Sequence, residues 1–155
     1  MFTYYARMKT LNLAPHTEPT VLQFLETASM LERKLDRVLS CTKGVSFSEY
    51  RLLKTLSQAG PSGLSRIDLA DGVGLTASAV TRALKPLEKV GLVATERSER
   101  DARQSLAVLT PAGRELLADA GNILRDNLRG LPVNALSGQK IAEFETRLGE
   151  FRHKL

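Results

Sequence analysis

GLSRIDLADGVGLTASAVTRALKPLEKVGLV, residues 63–93, holds two short helical periods on either side of a glycine-bearing turn. Ser65 with Asp68 three residues later marks a helix start, and Leu64 is placed to staple onto Leu69. Gly72 and Gly74 then break the chain, and Thr76 caps a new helix at once, with Leu75 placed to staple onto Val80. Ala70 is small where two crossing helices must approach closely. Gly74 can take the positive φ of the turn, and Val80 packs the second helix onto the first. Two short helices so spaced are the signature of a helix-turn-helix.

If Val80, Leu84 and Leu87 face the core, the 3.6-residue period turns Ala77, Ser78, Thr81, Arg82 and Lys85 outward. That face suits a DNA major groove. Its start is small enough for close backbone approach, and Ser78, Thr81, Arg82 and Lys85 supply hydrogen bonds to bases and phosphates. Pro86, inside the second helix, predicts a bend.

After Gly91 the apolar period changes to two, through Val93 and then through Leu106 and Val108. Two short strands are therefore predicted, joined by a loop that carries Arg97, Arg100, Asp101 and Arg103. A hairpin in this place makes the module a winged helix-turn-helix, with the arginines at the wing.

Working outward, Ser46 with Glu49 opens a preceding helix that carries Tyr50, Leu53 and Leu56 inward and stops at Gly60-Pro61. Before it, Val21, Phe24, Ala28, Leu31, Leu35 and Val38 recur at spacings of three and four and predict a long amphipathic helix over 20–41. Its heptad-like stripe admits pairing with a helix of another chain. Beyond the wing, Thr110-Pro111 caps and starts a helix bearing Leu116, Leu117, Ala120, Ile123, Leu124 and Leu128. A last helix from about 137 onward carries Ile141, Phe144, Leu148, Phe151 and Leu155.

The fold class is thus mainly α with a small β-hairpin wing. An N-terminal arm or leader over 1–19 precedes a long helix at 20–45, the winged helix-turn-helix at 46–110 and C-terminal helices at 111–155.

At 155 residues and 43% hydrophobic, the chain suffices for one well-filled core, and a formal charge of +5 favours an acidic partner. One cysteine excludes an internal disulfide, and His16 and His153 at opposite ends form no metal cluster. No cofactor is expected. No run reaches the roughly 18 apolar residues of a membrane helix, and the first residues lack the pattern of a secretory signal. A cytoplasmic location follows as the expectation. Neither a nucleophile with its base, nor H-E-x-x-H, nor G-x-S-x-G occurs, so an enzyme is not expected.

GLTASAVTRALKPLEKVGLV followed by RDARQSLAVLTPAGRELL resembles the MarR family of bacterial transcription regulators. The D-x-R-x5-L-T wing signature falls on Asp101, Arg103, Leu109 and Thr110. The resemblance covers about residues 20–155. It implies a homodimer, intertwined through the first and last two helices, that binds double-stranded DNA at a pseudo-palindromic operator and represses until an effector releases it. It also implies that Arg103 enters the minor groove, held by Asp101, while Arg97 and Arg100 flank it. Ala102 stands where many members carry arginine, so a second wing-tip contact is not carried over. For a small-molecule effector, the family uses a cavity between the dimer helices and the winged domain.

Two other readings stay open at this point. Cys41 closes the first helix, away from the position of the reactive cysteine in the peroxide-sensing branch of the family; it is either a packing residue or a redox switch. The winged helix could also be a protein-interaction module without DNA binding, against which Arg82, Lys85 and Arg103 argue.

Overall fold

The computed structural model describes residues 17–97 and 105–154, the side chains of 152–154 excepted. Helix α1 runs over Thr17–Lys43, three residues further towards the N-terminus than the apolar period predicts. Pro19 lies in its first turn, where the N–H it lacks would have no partner inside the helix. At 27 residues the helix is about 40 Å long, yet only Leu35 and Leu39 are buried, both in its second half.

Helix α2, Phe47–Gln58, opens with a complete capping box: the Glu49 N–H donates to Ser46 Oγ, and the Ser46 N–H donates to the Glu49 carboxylate. Asp36 of α1 also accepts from the Phe47 N–H at 2.8 Å, so an acid on one helix steadies the positive end of the next. Leu52, which the sequence reading did not place inward, is fully buried beside Leu53 and Leu56. A 3-10 turn at Gly60–Ser62 then leads to β1, Leu64–Ser65.

Helix α3, Arg66–Val73, is capped by Ser65, and α4, Ala77–Lys89, by Thr76. Between them Gly74 adopts φ 70° and ψ 38°, the left-handed conformation required of it by the turn. Gly72 does not break the chain; it lies inside α3. A Cβ there would stand 2.9 Å from the Thr55 methyl of α2, so its smallness sets how closely α2 and α3 approach. Helix α4 continues through Pro86 to Lys89.

Strands β2, Val93–Arg97, and β3, Ser105–Leu109, form the antiparallel hairpin read from the sequence. The sheet has a third member that the sequence reading missed. The two-residue β1 pairs with β3 in the order β1-β3-β2, Leu64 opposite Ala107 and Ser65 opposite Leu106. Leu53, Leu56, Leu69, Val80, Leu84 and Leu87 from α2–α4 close on Val93, Ala107 and Leu109 of the sheet. Each leucine so buried contributes about 1.5–3 kcal/mol over an exposed one.

Helix α5, Pro111–Leu128, follows the wing and lies along the second half of α1, where Ala120 and Leu124 meet Leu35 and Leu39 in a second, smaller core. After a 3-10 turn at Pro132–Ala135 the chain ends in α6, Gly138–Lys154. Helix α6 makes at most marginal contact with the other described elements, and Phe144, Leu148 and Phe151 on it stay exposed. No helix among the described residues is long and apolar enough to cross a membrane.

Candidate nucleic-acid interface

Helix α4 has one buried side and one free side. Val80, Leu84 and Leu87 are at most 2% exposed, and this orientation turns Ser78, Arg82 and Lys85 to solvent as the period predicts. Two positions read as outward behave differently. Ala77 is half-buried against the core, and Thr81 is half-buried with its hydroxyl donating to the Ala77 carbonyl at 2.8 Å. The hydroxyl proton of Thr81 is thereby engaged within the helix, and what it offers a ligand is an acceptor. At the helix start Thr76 Oγ1 takes the Ala79 N–H, while Val80 N–H bonds back to the Thr76 carbonyl. The N–H groups of Ala77 and Ser78 are left pointing outward, an arrangement suited to a phosphate oxygen.

The wing stands beside this face. Arg97 lies at the end of β2 opposite Ser105, in the strand rather than the loop, and is exposed. Arg100, Asp101 and Arg103 lie outside the described residues.

A polar network that sequence reading missed ties the wing strands, near their loop end, to both helices of the reading head. Arg66 of α3 donates to Ser105 Oγ of β3 at 2.5 Å and lies 3.9 Å from the Glu88 carboxylate of α4. Glu88 in turn accepts from the Thr95 hydroxyl of β2. One arginine and one carboxylate thus join α3, α4 and both long strands.

The base of the hairpin is locked to α5. Thr110 Oγ1 accepts the Gly113 N–H as the helix cap and donates to the Gly91 carbonyl, and Arg114 donates to the Leu109 carbonyl. A Cβ on Gly113 would stand 2.1 Å from the Leu92 carbonyl oxygen, so only glycine fits there.

Behind the reading head a cavity of about 650 Å³ opens between α1, α2, α3 and α5. Its apolar wall includes Leu31, Leu35, Leu124 and Leu128, and Phe47 and Tyr50 stack beside it with ring planes 15° apart. Arg51, Lys54 and Arg125 bring positive charge to its lining against the single acid Glu32. None of these was legible as a site, because each sits on a helix face that reads as ordinary core edge or solvated surface. Cys41 is a free, exposed thiol near the end of α1 and does not line this cavity.

The MarR family model matches residues 43–104, from the end of α1 into the wing. Over 76 residues the chain is 42% identical to the HTH-type transcriptional regulator YdgJ of Bacillus subtilis. That alignment covers 49% of this chain and 44% of the relative, so the match spans less than half of the relative's length. Sco3205, a MarR family transcriptional regulator from Streptomyces coelicolor solved in complex with DNA, superposes with a TM-score of 0.83 at 26% identity. The superposition covers 92% of this chain and 89% of that one. The chain is thus similar to the MarR family in sequence over residues 43–104 and in fold along most of its length. A second similar structure, CouR from Rhodococcus jostii RHA1 bound to p-coumaroyl-CoA, shares the fold with a TM-score of 0.76, 22% identity and coverage of 86% and 91%. The matched segment contains α4, strand β2 and the Arg66–Glu88 pair, and stops just short of β3.

Proposed function

We propose that this protein is a sequence-specific, non-enzymatic transcription regulator of the cytoplasm that binds a pseudo-palindromic operator as a homodimer and represses until a small molecule releases it. The observation that carries the DNA-binding reading is the free face of α4. Ser78, Arg82, Lys85 and the N–H groups of Ala77 and Ser78 point away from a helix whose other side is fully packed. An α-helix presented this way enters a major groove, with a wing placed to reach the adjoining minor groove. DNA bound to Sco3205 supports the same use of this fold.

The dimer reading rests on the terminal helices. Phe144, Leu148 and Phe151 of α6 and Leu22, Phe24, Leu25 and Met30 of α1 expose apolar surface that a lone chain leaves wet. A second copy covering both helices removes that surface from water and sets two α4 helices for two half-sites about 34 Å apart. The ligand-bound state of CouR supports a small-molecule role for the cavity.

Selection of genomic fragments by the purified protein, followed by anisotropy titration of the enriched duplex, tests the function. Enrichment of an inverted repeat bound by two chains is the expected result. Equal binding to every duplex, or to none, rejects it.

A further inference from the structure

Helix α6 is joined to the rest of the chain by an elbow, and one side chain holds that elbow closed. Asn134, in the 3-10 turn at Pro132–Ala135, donates from its amide to the Leu128 carbonyl at 2.6 Å and to those of Arg129 and Leu131 at 3.2 Å. All three partners are carbonyl oxygens, which only accept, so the NH2 group faces them and the amide oxygen points away. A helix leaves its final carbonyls without partners of its own, and Asn134 reaches back six positions to the last residue of α5 to close that end. The backbone N–H groups of Leu131, Asn134 and Leu136 each bond three residues back and coil the turn, but no one of them spans it. Nor do the nearby ion pairs. Arg129 pairs with Asp126 and Arg147 with Glu150, each three positions away on its own side of the elbow. Among the described residues, every side-chain hydrogen bond from the turn to the end of α5 comes from Asn134. Because α6 makes at most marginal contact with the other described elements, its direction is set at this joint.

We propose that Asn134 determines which operator spacing the dimer accepts: it fixes the direction of α6, and through α6 the separation of the two α4 helices. The proposal rests on the DNA-binding dimer put forward above. At 17 residues α6 is about 25 Å long, so a swing of roughly 10° at the elbow carries its far end about 4 Å. One base-pair step is about 3.4 Å, so such a swing is enough to move a half-site contact by a whole step. Two linked reading heads reinforce each other only when the DNA presents both half-sites at the distance the protein holds them. A closed elbow therefore makes binding strict about the number of base pairs between half-sites. An open one makes it weaker and tolerant.

The test uses the full chain and the inverted repeat selected from genomic fragments, its centre lengthened or shortened by one or two base pairs, beside a duplex that carries one half-site. The wild type is expected to prefer one spacing by about tenfold or more, and Asn134→Ala to narrow that preference to about twofold while binding the single half-site as the wild type does. Asn134→Asp keeps the shape without the donors and is expected to act as the alanine does. Asn134→Gln keeps the donors on a longer stem, restores part of the preference, and covers the case in which Asn134→Ala fails to fold. A spin label at Lys89→Cys, in a Cys41→Ser background, reads the distance between the two α4 helices of the dimer without DNA. That distance is expected to be narrowly distributed with Asn134 and broad with Asn134→Ala. A wild-type spacing preference in Asn134→Ala, or a distance distribution that stays narrow, overturns the proposal. So does a loss of affinity equal at every spacing and at the single half-site, which reports a structural role alone. A wild type that binds every spacing alike overturns the spacing role, and labels that find no second copy remove the dimer and the proposal together. If the distances broaden while the wild type binds no duplex, the clasp stands and the DNA-binding reading fails.

Discussion

Arg66 reaches from α3 to Ser105 at the start of β3, and the same guanidinium faces Glu88 of α4, so the wing is braced against both helices of the reading head. The brace is less than one-third exposed at Arg66 and Glu88, where solvent screens it only in part. Its role is orientation. A hairpin connected to the domain only through its own strands pivots about its base, and an arginine at its tip then loses entropy on binding.

Arg66→Ala is therefore expected to weaken operator binding three- to tenfold while costing about 1 kcal/mol or less of folding stability, the usual scale for a part-exposed polar pair. Glu88→Ala should act alike, and the double variant should lose less than the sum, because both act on one network. Anisotropy and urea denaturation measure the two effects. Additive losses would make the residues independent surface groups.

Glycine 113 gives a prediction about stability alone. Gly113→Ala forces a methyl against the Leu92 carbonyl, and overpacking on this scale costs about 1–3 kcal/mol. The midpoint of urea unfolding should fall accordingly, and an unchanged midpoint would show that the hairpin and α5 are not locked together.

How much of this was legible depends on the distance over which each feature is built. The caps at Ser46, Ser65, Thr76 and Thr110 each act within three residues, and the sequence displays them directly. The buried face of α4 follows from the helical period alone. By contrast, β1 is two residues long and exists because β3 lies beside it, which no local pattern encodes. Arg66 meets Ser105 across 39 positions, and Arg51 meets Val73 across 22. Thr81 departs from the period for a different reason: the period places it outward, but a helical threonine can return its proton to the carbonyl four residues back. Gly113 carried a signal in principle, since glycine in a first helical turn is unfavourable unless something crowds it.

The terminal helices predict an oligomer that charge can break. Leu148→Glu with Phe151→Glu places two carboxylates on the exposed apolar side of α6 and should give monomers or aggregates that fail to bind DNA. Sedimentation of the wild type at micromolar concentration as a monomer would remove the dimer from the proposal.

On α4, Arg82 and Lys85 should separate by the kind of loss they produce. Arg82→Ala, if the guanidinium is bidentate to guanine, costs about 1–3 kcal/mol on the operator and relaxes preference at one position per half-site. Lys85→Ala should weaken every duplex about equally, as loss of a phosphate contact does. A uniform loss from Arg82→Ala would assign that residue to the backbone as well.

The wing arginines supply the last prediction. Arg103 is proposed to enter the minor groove with Asp101 holding it, while Arg97, exposed at the end of β2, and Arg100 flank it. A narrow A/T-rich minor groove concentrates negative potential, so an inserted guanidinium selects shape more than a base edge. Arg103→Ala should then weaken binding most on operators with A/T-rich flanks and reduce the salt slope by about one unit per wing. Asp101→Ala should reproduce part of that loss, because the arginine remains but its orientation is no longer fixed. Arg97→Ala and Arg100→Ala should cost less, and equally on both kinds of flank. Anisotropy on A/T- and G/C-flanked operators across a salt series reads all four variants together. If Arg103→Ala binds both operators like the wild type, DNA recognition belongs to α4 alone, and the Arg66–Glu88 brace serves stability rather than the aim of the wing.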